Sequence, residues 1–176
     1  MTPFQSLVVL KRPRHELWTI MRDRLADLAR CIEEVEQIEQ MERTDVANGV
    51  VHVVNKWRVR QQVTASIQSF LPIDELSWVD RNRWDISDWV CSWTIEPTFL
   101  REHITCSGQT SFASAMGGQG TRVTFAGELD MKPGWISALG NVEPIVAGLA
   151  ESVVTTIIPR NLRAVAEAAA AYVVPV

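Results

Sequence analysis

Residues 103–131, HITCSGQTSFASAMGGQGTRVTFAGELDM, and the alanine-rich run that follows over 143–173 decide the fold class of this chain. Residues 103–112 and 121–131 read as two strands joined by Gly117-Gly118-Gln119-Gly120. In the second, Val123, Phe125, Gly127, Leu129 and Met131 fall on one face at a period of two. A connection that short makes the pair antiparallel. Pro133-Gly134 then marks a turn, with a loop or short helix at 135–141. From Glu143 onward the composition is helical, with Ala at 147, 150, 164, 166 and 168–171. Pro159 lies inside that run. It removes a backbone donor and crowds the carbonyl four residues back, so a bend is predicted there.

Working toward the N-terminus, the alternation continues. Leu76, Trp78, Asp80, Asn82 and Trp84 share one face of a strand. Trp89, Cys91, Trp93 and Ile95 share one face of the next. Val51, Val53, Trp57 and Val59 alternate with His52, Lys56, Arg58 and Arg60, just after Asn48-Gly49, a dipeptide suited to the positive φ angles of a tight hairpin. A further strand is expected over 62–70. Ile32, Val35, Ile38 and Met41 recur every three residues, which fits a bulged strand or a helix running into a strand; a strand is favoured from Val35. Glu33, Glu34, Glu36, Glu39, Glu42 and Asp45 read as a solvated face opposite Lys56, Arg58 and Arg60. Residues 4–10 read as a strand. After Pro13, Leu17, Trp18, Met21, Leu25, Leu28 and Ala29 trace a helical face over 14–30, with a break expected at Asp27.

The 176 residues are 47% apolar and 22% charged, the balance of an ordinary globular domain, and no repeat or linker divides 1–176. The net charge of −4 offers no electrostatic case for nucleic acid. Cys31, Cys91 and Cys106 match no metal spacing and read as buried thiols in a reducing compartment. No signal peptide is expected at the N-terminus, and Glu143 and Glu151 interrupt the apolar region 135–158, so no membrane span is expected and the localisation expected is cytoplasmic. No cofactor or metal site is expected: His15, His52 and His103 are too far apart in sequence and read as exposed.

The element order is one strand, one or two short helices, about six antiparallel strands and a long helix. With the stretches FQSLVVLKRPRHELWTIMRD (4–23), ERTDVANGVVHVVNKWRV (42–59) and CSGQTSFASAMGGQGTRVTFAGELDMK (106–132), it resembles the SRPBCC or START-like superfamily, the birch-pollen-allergen or helix-grip fold. Pro13-Arg14-His15-Glu16-Leu17-Trp18 resembles the entry into its first helix pair, and Gly120–Thr124 its final hairpin strand. The resemblance implies an α+β fold with a curved antiparallel sheet of six or seven strands wrapped around the C-terminal helix. It also implies an internal cavity for apolar or amphipathic molecules. The superfamily includes lipid carriers, hormone receptors, polyketide cyclases and aromatases.

Several residues are candidates to line such a cavity. Trp57, Trp78, Trp84 and Trp93 offer wide apolar walls with a polar edge, or plain core filler. Trp18 reads as core. Asp80 and Asn82, in phase with Trp78 and Trp84, either orient a polar head group, or the whole strand is inverted, or both sit near a strand end in water; Asn55 has the same standing. Leu149, Val153 and Ile157, with Ile145, supply the facing side of the helix. Trp135 either gates the mouth, touching a membrane surface in passing, or caps the core. No glycine-flanked serine suggests a nucleophile elbow. The reading that follows is binding or transport of a hydrophobic small molecule, lipid or aromatic. Two alternatives stand beside it: a polyketide cyclase or aromatase using Asp80, Asn82 or Asn55, and a non-catalytic interaction module with a filled core.

Overall fold

In the computed structural model, residues 2–60, 65–68, 75–98, 101–132 and 143–176 are described. Seven strands form one antiparallel sheet: β1 (Thr2–Leu10), β2 (Val35–Val46), β3 (Val50–Val59), β4 (Leu76–Asp85), β5 (Val90–Pro97), β6 (Ile104–Ala115) and β7 (Gly120–Met131), in the spatial order β1-β7-β6-β5-β4-β3-β2. Between β1 and β2 come α1 (Arg14–Asp23) and the single-turn α2 (Leu25–Leu28). Another single turn, α3 (Ala65–Gln68), lies between β3 and β4. The chain ends in α4 (Glu143–Ser152), a wide π-helical turn (Val153–Ile157) and α5 (Ile158–Ala171).

The hairpin signals act as their chemistry requires. Asn48 and Gly49 take φ of 66° and 76° between β2 and β3. The three-residue period in β2 comes from two bulges, between Val35 and Gln37 and between Gln40 and Glu42. An extra residue at position 36 resets the alternation, so Val35 and Ile38 both face inward although three apart. Trp89 is not on a strand. It occupies the β4–β5 turn at φ 55°, with the Arg14 guanidinium 4.1 Å above its ring.

Three expectations shift. The strand expected over 62–70 is replaced at its centre by α3, and its remaining residues lie outside those described. β3 and β4 already pair directly, from Val50 opposite Asp85 to Val59 opposite Leu76, which leaves no place for a strand between them. The first helix breaks at Arg24, not Asp27: Arg24 turns to φ −120°. The long helix widens into a π turn just before Pro159, the local adjustment that accommodates a residue with no N–H to donate.

The core lies between the inner sheet face and the helices. Ile158, Val165, Ala166 and Ala169 of α5 are buried in one apolar cluster with residues of every strand. Trp18 of α1 is fully buried and meets Trp84, Trp89 and Phe112 edge-on, with ring centroids 4.9, 5.4 and 5.1 Å away. Arg12 donates to the carbonyls of Ala169, Ala170 and Tyr172 and so ties the C-terminal end of α5 to the start of α1. The stretch Pro144–Ala171 is long and apolar enough to cross a membrane by length and composition. Val146, Ala150, Val153, Ile157 and Ile158 of this stretch are buried in the fold, and Ile145 is exposed. Cys91 and Cys106 are buried, whereas Cys31 is exposed, because its turn lies at the surface between α2 and β2.

Candidate functional site

Strict alternation puts Asn55 and Trp57 of β3, and Asp80, Asn82 and Trp84 of β4, on the inner sheet face. The β3–β4 register then sets Asn55 directly opposite Asp80. Asp80 is 5% exposed. Its Oδ1 accepts from the Asn55 amide Nδ2 at 2.9 Å and from the Asn55 backbone N–H at 3.2 Å. Its Oδ2 accepts from the Trp57 indole N–H at 2.8 Å. Burial pushes the Asp80 pKa up to about 6, against the opposing effect of these hydrogen bonds. Asn82 also hydrogen-bonds the carboxyl, so its hydrogen-bond partners among the described residues are neutral side chains and backbone; Arg22, on the helix side of the same space, is engaged 2.7 Å away by Asp23.

A cavity of about 40 Å³ opens beside this carboxyl. Its sheet side carries Asn55, Trp57, Asp80, Asn82, Trp84, Cys91, Trp93, Thr110 and Phe125; its helix side carries Met21, Arg22 and Leu25 near the first helices, and Leu162 and Val165 of α5. The Trp93 indole donates to Thr110 Oγ1 at 3.1 Å. Trp93 can lie against the sheet because the residues across from it are small. Gly108 is directly opposite on β6 and Gly127 is next on β7. A Cβ at Gly127 would come within 2.5 Å of the Trp93 ring and 2.8 Å of Phe4. Trp93 and Phe4 stack across this glycine floor, centroids 6.1 Å apart. The Cys91 thiol is pushed well above its ordinary pKa by burial, and further by the Asp80 charge, so it is a poor nucleophile. Among the described residues no three His, Cys, Asp or Glu side chains gather as metal ligands.

No protein-family model matches the chain, and no curated protein matches it in sequence. Solved structures do match its shape. A protein from Thermus thermophilus superposes with TM-score 0.66 and 16% identity, over 96% of this chain and 97% of its own. The Zhui aromatase/cyclase from Streptomyces sp. R1128 gives TM-score 0.66 and 16% identity, over 96% of this chain and 91% of its own. Ara h 8.0201 gives TM-score 0.60 and 14% identity, over 97% and 95%. This is the helix-grip fold. The likeness is one of architecture: a seven-stranded antiparallel sheet, short helices after the first strand, and a long C-terminal helix.

Within the helix-grip frame the candidate residues separate. Asn55, Trp57, Asp80, Asn82, Trp84 and Trp93 come together around one cavity. Trp78 does not border it; it sits directly across from Trp57 in the sheet, stacks on it at 5.6 Å and is buried. Leu149, Val153 and Ile157 do not border it either. Val153 and Ile157 are buried in the core, and Ile145 is exposed, because the helical segment nearest the cavity is α5 and not α4. Trp135 lies outside the described residues. Met21, Arg22, Leu25, Cys91, Thr110, Phe125, Leu162 and Val165 were not singled out from sequence as site residues. Cys91, Thr110 and Phe125 share the strand phase of Trp93, Phe112 and Val123, so a signal existed for them. For Leu162 it was weaker: it lies four residues after the buried Ile158 in a run where most residues are apolar.

Proposed function

We propose that this chain, as one ligand-binding domain, holds a hydrophobic, ring-bearing small molecule between the sheet and α5, with a hydrogen-bond donor of that molecule set against Asp80. One observation carries the reading: a buried carboxyl, hydrogen-bonded by neutral groups, lines a cavity walled by Trp57, Trp84, Trp93 and Phe125. Burying a carboxylate costs free energy that an apolar residue would avoid, so its position favours a ligand function. Rings supply affinity by area and the carboxyl supplies orientation.

The cavity volume of about 40 Å³ limits what fits without movement. A water needs roughly 10–15 Å³ on this measure, so the space holds a few waters and not an acyl chain. A larger molecule requires the side of α5 carrying Leu162 and Val165 to move away from the sheet. The test is native mass spectrometry of the fresh protein, then tryptophan fluorescence titration with fatty acids, sterols and phenolic polycyclic compounds. Saturable quenching by the phenolic set, weakened at least tenfold in Asp80→Asn, supports the reading. No response across the panel overturns it in favour of a filled-core interaction module. A response to fatty acids alone, unchanged in Asp80→Asn, overturns the role of Asp80.

A second reading rests on the same carboxyl. With a pKa near 6, Asp80 can both take and return a proton near neutral pH, as a cyclase or aromatase acting on a polyketide-like substrate requires. Asn55 and Trp57 would then position it. Turnover of such a substrate, lost in Asp80→Asn while binding survives, would select this reading.

A further inference from the structure

Asn161 is a polar side chain in an apolar place. It shares the inner side of α5 with Ile158, Val165 and Ala169, and it is 1% exposed. Neither its Nδ2 nor its Oδ1 has a hydrogen-bond partner among the described residues. A buried amide gives up its water at both ends, so an apolar side chain of similar size would stabilise the fold better unless the amide has something to bind. Among the described residues Asn161 does not border the Asp80 cavity, and two grooves that it does border share no lining residue with that cavity.

Those spaces are two surface grooves that meet at Asn161. One, of about 520 Å³, runs along α5 past Ala164, Ala168 and Tyr172. The other, of about 470 Å³, runs toward Val59, Arg60 and Ile157. Glu33, Glu34 and Arg160 border both. Arg160 Nε and Glu34 Oε2, 2.9 Å apart and each about half exposed, span the junction. An ion pair that exposed is weakly held, so it can open without disturbing the fold.

We propose that Asn161 and the groove junction at the Arg160–Glu34 pair form a second ligand site, for a neutral molecule bearing a carboxamide or lactam. A side-chain amide presents a donor and an acceptor side by side, and only a group with the same pair in reverse returns both bonds. A carboxylate returns acceptors alone and would meet Glu33, Glu34 and Glu167 at the groove walls. Ala164 and Ala168 border the first groove with Asn161 and are short, which leaves room along it for a flat body; the amide itself is covered, and the ligand reaches it when the Arg160–Glu34 pair opens.

The experiment follows the Asn161 side-chain NH₂ resonance in ¹⁵N-labelled full-length protein, assigned by its loss in Asn161→Leu. Benzamide is the probe; benzoate and N,N-dimethylbenzamide are the comparisons. Benzamide is expected to move the resonance saturably, with the comparisons at least tenfold weaker. Ala164→Leu fills the groove without removing the amide and is expected to weaken benzamide at least tenfold; it also keeps the proposal testable should Asn161→Leu fail to fold. Asp80→Asn is expected to change nothing here, which separates this site from the cavity. An unmoved resonance, an equal response to benzoate, or full binding in Ala164→Leu overturns the proposal. So does a long-lived water contact at the amide that persists at saturating benzamide, which would mark Asn161 as a water-bound structural residue.

Discussion

Replacing Asp80 by asparagine converts its burial into a measurable pH dependence. Burial raises its pKa from 3.8 to about 6, so folding disfavours the charged form. Below the unfolded value both states carry the proton and the stability contribution is fully present. As the pH rises toward 6 the unfolded chain ionises first, the native state keeps its proton, and stability falls; above the folded value the loss is complete. A shift of about two units corresponds to about 3 kcal/mol in full, of which about 2 kcal/mol falls between pH 4.5 and 7.5. The asparagine amide does not titrate there. Its oxygen can still accept from Asn55, but its NH₂ cannot accept from the Trp57 indole, which removes one hydrogen bond worth about 1 kcal/mol at any pH. The assay is urea unfolding followed by tryptophan fluorescence, on both proteins, at half-unit steps from pH 4.5 to 7.5. All other titrating groups are common to both proteins and cancel in the difference. Wild-type stability relative to the variant should fall by about 2 kcal/mol across this range. A difference constant to within about 0.5 kcal/mol, the scatter of an inconsequential surface change, would refute the assignment of a carboxyl whose pKa is raised by burial.

Trp57→Phe keeps a ring against Trp78 and removes the indole N–H bonded to Asp80. It should cost about 1–3 kcal/mol at pH 7.5 and less at pH 4.5, where the protonated carboxyl is a weaker acceptor; equal losses would mean that the indole does not serve the charged form. Gly127→Ala places a methyl against the rings of Trp93 and Phe4, so it should destabilise by about 1–3 kcal/mol and alter the near-ultraviolet circular dichroism. An unchanged spectrum and melting temperature would disprove the glycine floor. Leu162→Phe fills the space beside Asp80 from the α5 side, so it should change stability by less than about 2 kcal/mol and weaken any ligand bound there at least tenfold. Undiminished binding would move the ligand elsewhere.

Much of this architecture was legible because each strand is buried on one face only. Alternation in residues 51–59, 76–84 and 121–131 announced which side chains point inward, and Asn48-Gly49 announced the turn between β2 and β3. Even the three-residue spacing of Val35 and Ile38 carried information, since a bulge is the local event that produces it. The same alternation placed Asp80 and Asn82 inside with Trp78 and Trp84. It did not say that Asp80 would be held by Asn55 and Trp57, which are 25 and 23 residues away. Residues 65–68, the centre of the strand expected over 62–70, show the converse limit. They suit a strand, but β3 and β4 had already taken each other as partners.

The sequence by itself determined the order of elements, the inward face of each strand and the apolar helix that covers the sheet, because periodicity and turn chemistry act between residues close together in the chain. Only the tertiary structure decided which inward residues share a row, and rows make the site. Register set Asn55 against Asp80, and it set Trp93 over Gly108 and Gly127. The packing of α5 against that face chose Leu162 and Val165 over Leu149 of α4 and Val153 of the π turn as the opposite wall. It also left the amide of Asn161 buried without a partner. Each of these outcomes depends on the register between strands and on the seating of one helix on a sheet, which no local period encodes.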